Sequence, residues 1–195
     1  MKHLFCPILL LFLLNSHAQD SSNEYYLAFG KESFFYPSKE IIGSPLHPTL
    51  LIGFQKNLKT KRKSDRSITA EAGIYHHDYF ENGFFVLAGY QFTYFTNYKF
   101  SLSWKPELGY HHSWSPTGTF RLENGTYKRT SNLGRPNVMF AMNAVFDYQV
   151  FQKGETRLFF QFKTAGSGPF AIPWGVPVAP YTFLMFGIKS NLQFK

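Results

Sequence analysis

The residues best placed to do chemistry are a histidine and a serine two positions apart, His111 and Ser113. An imidazole within hydrogen-bond reach of a hydroxyl can take its proton and activate the oxygen as a nucleophile, which is the requirement for serine hydrolysis. A carboxylate can orient such a base, and Glu123 or Asp78 could supply it. The sequence therefore allows a hydrolytic site with His111, Ser113 and Glu123 as candidate catalytic residues.

The segment that holds this pair, Phe100 to Ser115, alternates with a period of two. Its almost wholly apolar and aromatic face consists of Phe100, Leu102, Trp104, Pro106, Leu108, Tyr110, His112 and Trp114. This period is that of a β-strand, which at roughly 3.3 Å per residue is long enough to cross a bilayer when tilted. The apolar face would then meet lipid, and the opposite face, with Lys105, Glu107, His111 and Ser113, would point into a closed barrel.

Seven further segments alternate in the same way, at residues 24–30, 49–58, 68–80, 84–95, 138–151, 156–165 and 181–194. Single-chain outer-membrane barrels have an even number of strands, and the longest connections (31–48, 116–136 and 166–180) would all lie on the extracellular side. We therefore predict an all-β fold, an eight-stranded antiparallel up-and-down transmembrane β-barrel with a side-chain-filled lumen. It would form one domain over residues 19–195.

The N-terminus predicts export. A basic residue, Lys2, precedes an apolar run from Ile8 to Leu14, and a cut after Ala18 would remove residues 1–18 as a signal peptide. Cys6 is the only cysteine, so the mature chain would have no disulfide and no cysteine metal ligand. The formal net charge of +8 reflects either solvated turns or an attraction to anionic lipid head groups and lipopolysaccharide phosphates.

Charged side chains occupy the predicted lumen. The interior of an eight-stranded barrel is just wide enough for side chains to fill it, and an unpaired charge there would be costly. The acids Glu71, Glu107 and Asp147 can be balanced by the bases Lys105, Arg157, Lys163 and Lys189. We predict a packed ionic network rather than an open pore, with a narrow path for protons or small solutes as the alternative.

Five histidines remain after the signal peptide, all at predicted extracellular strand ends: His47, His76, His77, His111 and His112. Histidine is amphipathic and suits the membrane–water boundary, as do the aromatic girdles of outer-membrane barrels. Neutral imidazoles also bind Zn²⁺ or Cu²⁺, but neighbours on a strand point to opposite faces, so only His77 and His111 would converge inside. We assign no metal and no other cofactor from the sequence.

The connection from Gly166 to Pro180 is rich in glycine and proline and carries five large apolar residues, Phe170, Ile172, Trp174, Val176 and Val178. Prolines hold such a segment extended, and its apolar side chains need cover. The segment is either a lid on its own barrel or a docking surface for another envelope protein or a glycan. The sequence contains no nucleic-acid-binding module and no phosphate-binding glycine loop.

In its signal peptide, its alternating segments and its aromatic-rich last strand (Phe183 to Phe194), the chain resembles the small eight-stranded outer-membrane β-barrel proteins of Gram-negative bacteria. Lys195 departs from the commonest terminal assembly signal, which ends in an aromatic residue. The resemblance implies integral insertion in the outer membrane. It also implies contact with outer-membrane lipids and lipopolysaccharide, and allows another envelope protein as a partner.

His111 and Ser113 also resemble the His-x-Ser motif of the lipid A deacylase barrels, which lies near the outer rim with an acidic partner downstream. Trp114 departs from that motif, in which asparagine follows the serine. The deacylase site faces the membrane, whereas the alternation here turns His111 and Ser113 inward unless a bulge intervenes. Two functions follow: a structural or binding barrel that acts through its extracellular loops, and, as the alternative, a lipid A acyl hydrolase.

Overall fold

The described part of the chain is built of β-strands. A computed structural model describes residues 23–34, 45–78, 80–96, 99–130, 133–150, 156–170, 175 and 177–191. The strands are β1 (Asn23–Ser33), β2 (His47–Lys61), β3 (Ser64–Tyr75), β4 (Asn82–Phe95), β5 (Phe100–Trp114), β6 (Thr119–Glu123), β7 (Thr126–Thr130), β8 (Arg135–Gln149), β9 (Arg157–Gly168) and β10 (Ala179–Ser190). Within these residues no helix has the length and apolarity to cross a bilayer. The predicted signal peptide and the loop residues Ile172, Trp174 and Val176 lie outside them.

Eight of the strands close into one antiparallel barrel in the order β1-β10-β9-β8-β5-β4-β3-β2. Each barrel strand pairs with the next barrel strand along the chain, including β5 with β8 across the intervening hairpin. The barrel closes where β1 pairs with β10, from Tyr25 opposite Ser190 to Ser33 opposite Thr182. Every edge is therefore paired, which a backbone in lipid requires. The predicted eight-stranded antiparallel up-and-down β-barrel is confirmed.

Strands β6 and β7 form a separate two-stranded hairpin between β5 and β8. Residues 116–136 were predicted from the sequence only as a long connection between barrel strands, and the hairpin within it was not predicted. The turn residues Asn124 and Gly125 both have positive φ, 50° and 77°. An Asn-Gly pair with positive φ at both positions is the preferred two-residue hairpin turn, so the signal was present in the sequence.

The outer wall of the barrel is apolar. Leu108 and Phe186 are 61% and 58% exposed, whereas the lumenal neighbours Ser103 and Lys105 are each 1% exposed. Burial alternates with a period of two along β1, β3, β4, β5 and β8. Large apolar side chains that cover a closed wall in this way would be unfavourable in water, and are the expected surface of a barrel in a lipid bilayer.

The lumen contains an apolar layer as well as a charged one. Its buried apolar residues include Leu51, Phe85, Leu87, Met139, Phe183 and Met185. Gly53 and Gly73 make room for the rings, because a Cβ at Gly53 would collide with Tyr26 and one at Gly73 with Phe85. The lumenal charges could be predicted from the sequence, but this apolar layer could not. Where both faces of a strand are apolar, as at residues 84–87 of β4, the pattern does not show which face is inside.

Strand β3 ends at Tyr75, five residues earlier than the alternation predicted. The next residues are held by hydrogen bonds other than the strand ladder: the His77 N–H donates to Asn82 Oδ1 over 3.0 Å, and the Phe80 N–H donates to His77 Nδ1 over 3.1 Å. Such local side-chain bonds compete with strand pairing. His77 therefore lies in a turn at the barrel mouth rather than on a strand.

Candidate functional site

Four charged side chains meet in the middle of the lumen. Lys105 of β5 lies 2.6 Å from Glu71 of β3 and 3.0 Å from Glu107, measured from Nζ to the carboxylate oxygens. Lys163 of β9 lies 3.0 Å from Glu107 and also pairs with Glu71. Two ammonium groups thus face two carboxylates, and all four side chains are buried. The charges balance locally, which is the condition for keeping them away from water.

Neutral side chains complete this cluster. Asn143 Nδ2 donates to Glu107 over 2.8 Å, and Gln161 Nε2 donates to the Asn143 side-chain oxygen over 2.7 Å. The Tyr26 hydroxyl donates to Glu71 over 3.2 Å. These bonds tie β1, β3, β5, β8 and β9 together across the lumen. The arrangement is that of a structural plug, in which hydrogen bonds fix the position of each charge.

Two more ion pairs lie towards the other end of the barrel. Lys189 is 3.0 Å from Asp147, and Arg157 is 3.6 Å from Glu24. Glu71, Glu107 and Asp147 were the predicted lumenal acids, and Glu24 was not among them. Arg157 contacts the Glu24 carboxylate because the pairing of β1 with β10 brings the first strand close to the start of β9.

His111 and Ser113 both point into the lumen near one mouth of the barrel and are buried. The His111 ring shares hydrogen bonds with the Tyr75 hydroxyl, 2.9 Å from Nε2, and with the Ser167 hydroxyl, 2.7 Å from Nδ1. The Ser113 Oγ has no hydrogen-bond partner among the described residues. The structure therefore brings His111 together with Ser167 rather than with Ser113.

The candidate acids lie elsewhere. Glu123 is in the β6–β7 hairpin and pairs with Lys128 over 3.4 Å. Asp78 pairs with His76 over 3.1 Å, and both are exposed. Across the described residues no hydrogen bond joins a carboxylate to His111, so the described geometry does not assemble the arrangement that activates a serine. The catalytic assignment stays a prediction.

A third group of polar side chains lies at the same mouth of the barrel, and it was not predicted as a group from the sequence. Glu32 of β1, His47 of β2 and His77 each offer one possible ligand atom, and these three atoms lie within 4.8 Å of one another. The His47 and His77 rings stack with 3.6 Å between their centroids. Glu32 continues the lumenal face of β1, so the alternation of residues 24–30, extended by two residues, could have identified it.

His77 lies in the turn after β3, outside the barrel strands. Burial lowers the pKa of His77, and the neighbouring His47 lowers it further.

Glu81 has its own partners, in contrast to Glu32. The hydroxyls of Tyr75 and Tyr181 donate to Glu81 Oε1, the former over 3.2 Å, and Arg135 Nη2 donates to Oε2 over 3.4 Å. These contacts join β3, β8 and β10 at the mouth. They hold the Glu81 carboxylate in place without an ion.

Phe170, the first apolar residue of the proline-rich loop, packs over the mouth. Its ring centroid lies 5.8 Å from that of Phe34 and 6.2 Å from that of Phe80, and the Arg135 guanidinium lies 5.0 Å from it. Val178, at the other end of the loop, is more exposed. Phe170 is thus placed as part of a cover on its own barrel, which is one of the two alternatives for this loop.

Comparisons with known proteins gave matches among solved structures alone. No protein-family model matches the chain, and no curated protein matches it. Neisserial surface protein A is similar with a TM-score of 0.49, 11% identity and coverage of 87% of this chain and 96% of that one. The outer membrane enzyme PagL is similar with a TM-score of 0.47, 12% identity and coverage of 87% of this chain and 99% of that one. Ail of Yersinia pestis is similar with a TM-score of 0.45, 11% identity and coverage of 87% of this chain and 96% of that one. At these values the similarity does not extend to function.

Proposed function

We propose that this protein is an integral outer-membrane β-barrel of a Gram-negative bacterium, with a closed lumen, that binds a partner or ligand at its extracellular mouth and loops. The strongest support for this proposal is that apolar and charged side chains lie on opposite sides of the barrel wall. Apolar residues cover the outside, and the charged residues lie inside. That surface is suited to acyl chains and poorly suited to water. A cleaved signal peptide would deliver the chain to the envelope.

The contents of the lumen support a closed barrel. The buried cluster of Glu71, Lys105, Glu107 and Lys163 lies on one level, and the apolar layer that includes Phe85 fills another. An ion crossing such a lumen would have to separate buried ion pairs, which carries a high cost in free energy. We therefore expect no steady conductance.

The β6–β7 hairpin supports binding at the extracellular side. Phe120 lies opposite Arg129 and Leu122 lies opposite Tyr127, so these four side chains share one face, and all are exposed. Lys128 is exposed on the opposite face of the hairpin, so Arg129 supplies the positive charge of this face. A face that is both apolar and basic fits lipopolysaccharide, whose phosphates are anionic, and it also fits an acidic surface of another envelope protein.

The experiment places the folded barrel in phosphatidylcholine vesicles with and without lipopolysaccharide. We expect trypsin to cleave at Lys128 and Arg129 in plain vesicles and to cleave more slowly when lipopolysaccharide is present. Equal rates in the two vesicles would contradict lipopolysaccharide binding at this hairpin. In planar bilayers the same protein should give no steady single-channel conductance, and a regular conductance would contradict the closed lumen.

Lipid A acyl hydrolysis is the alternative function. Its candidate residues, His111 and Ser113, face the lumen rather than the membrane in which acyl chains lie, and His111 is engaged by Tyr75 and Ser167. Mass spectrometry of lipid A from cells that express the wild type or Ser113→Ala tests this alternative. Loss of an acyl chain with the wild type alone would establish the hydrolase in place of the binding function.

A further inference from the structure

Glu32 has an unusual position for a carboxylate. Its side chain is 1% exposed, yet neither of its oxygens has a hydrogen-bond partner among the described residues. Burying a polar group without such a partner is unfavourable, and native proteins normally avoid it. A cation bound to the Glu32 carboxylate at the mouth of the barrel would account for its burial without a hydrogen-bond partner.

The neighbours of Glu32 are metal-binding side chains. His47 Nδ1 lies 3.9 Å from Glu32 Oε2, too far for a hydrogen bond, and this nitrogen also lacks a hydrogen-bond partner among the described residues. Zinc binds histidine nitrogen and carboxylate oxygen at about 2.0–2.2 Å. The His47 nitrogen and the Glu32 oxygen therefore need to move only slightly closer together to bind the same ion. His77 supplies a third donor within the same 4.8 Å group.

We propose that Glu32, His47 and His77 form a binding site for one divalent transition-metal ion, of which Zn²⁺ is the natural probe. Two imidazoles and one carboxylate form a donor set that Zn²⁺ accepts, and three protein ligands leave a further coordination position open. The site joins β1, β2 and the turn after β3, so a bound ion would link three segments at the mouth. This inference does not depend on the proposed binding of lipopolysaccharide.

One hydrogen bond must change when the ion binds. The Phe80 N–H donates to His77 Nδ1, which places the proton of the neutral ring on Nε2. Coordination through either nitrogen therefore requires the loss of the Phe80 bond. The Phe80 amide thus becomes a specific reporter for the site, because its resonance should shift on binding.

The test is calorimetric titration of ZnCl₂ into the folded, untagged protein in detergent micelles. We expect one ion per chain, with an affinity at least about tenfold weaker in Glu32→Gln and in His47→Gln, since changes around a metal centre typically cost this much or more. His76→Gln is the matched control, because His76 is adjacent in sequence but pairs with the exposed Asp78. That variant should bind like the wild type.

A second readout is the ¹⁵N-labelled Phe80 amide, which should shift with Zn²⁺ in the wild type and His76→Gln but not in Glu32→Gln. Each protein is first checked for folding by its unheated migration on a gel. If Glu32→Gln does not fold, His47→Gln answers the same question. The absence of stoichiometric binding, or equal weakening by His76→Gln and Glu32→Gln, would overturn the site.

Discussion

Lys163 Nζ and Glu107 Oε2 lie 3.0 Å apart in the centre of the lumen, and neither side chain is accessible to water. The two residues belong to β9 and β5, which are not adjacent in the barrel. Their contact therefore spans the lumen instead of following the wall. Together with Lys105 and Glu71, they form the part of the structure on which the stability of the barrel interior should depend most.

Replacing Lys163 with methionine should destabilise the barrel by about 3–5 kcal/mol, because Glu71 and Glu107 would share only Lys105 and one buried charge would lose its partner. Urea unfolding in detergent, followed by tryptophan fluorescence, measures this change. The matched control is Lys128→Met in the exposed Lys128–Glu123 pair, which should cost no more than about 1 kcal/mol. Adding Glu107→Gln to Lys163→Met should recover much of the loss, and equal effects of the two single variants would contradict the prediction.

The hydroxyls of Ser113 and Ser167 should differ in their contribution to stability. Ser113 Oγ is buried without a partner, so Ser113→Ala should be neutral or slightly stabilising. Ser167→Ala removes the 2.7 Å hydrogen bond to His111 and should cost about 0.5–1.5 kcal/mol. Unfolding curves of the two variants, measured side by side, test the difference. A larger cost for Ser113→Ala would show that its hydroxyl has a function in the folded state.

The outer wall should not tolerate a charge. Leu108→Arg places a cation on the apolar face of β5 and should reduce the free energy of folding into vesicles by up to about 2–4 kcal/mol, with the largest effect at the centre of the bilayer. The same change at the hairpin, Phe120→Arg, serves as the control and should leave insertion unaffected. The measurement is folding yield in phosphatidylcholine vesicles across a urea series. Normal insertion of Leu108→Arg would contradict the assignment of this wall to lipid.

The space at Gly53 is filled by the ring of Tyr26, so a larger residue there should overpack the lumen. We expect Gly53→Val to cost about 1–3 kcal/mol, the usual penalty of inserting atoms into a packed interior. Gly118→Ala is the control, because a Cβ at Gly118 would have its nearest neighbour at an ordinary 3.4 Å. Urea unfolding of both variants measures the difference. If Gly53→Val unfolded like Gly118→Ala, the lumen would contain more free space at this level than the contacts indicate.

The fold class and the lumenal position of the central charges could be predicted without the structure. Alternation with a period of two is a local property of the extended backbone, so Lys105, Glu107 and Lys163 could be assigned to the lumen without knowledge of their partners. The Asn124–Gly125 turn was equally local, and its hairpin could have been predicted.

The tertiary structure alone decided which residues meet. Arg157 pairs with Glu24, His111 with Ser167, and His47 with His77, and each contact joins different segments of the chain. These contacts depend on the register between strands and on the closure of β1 onto β10, which no single segment encodes. For that reason the sequence did not show that Glu32, His47 and His77 come together, and only the closed barrel assembled the three donors into one site.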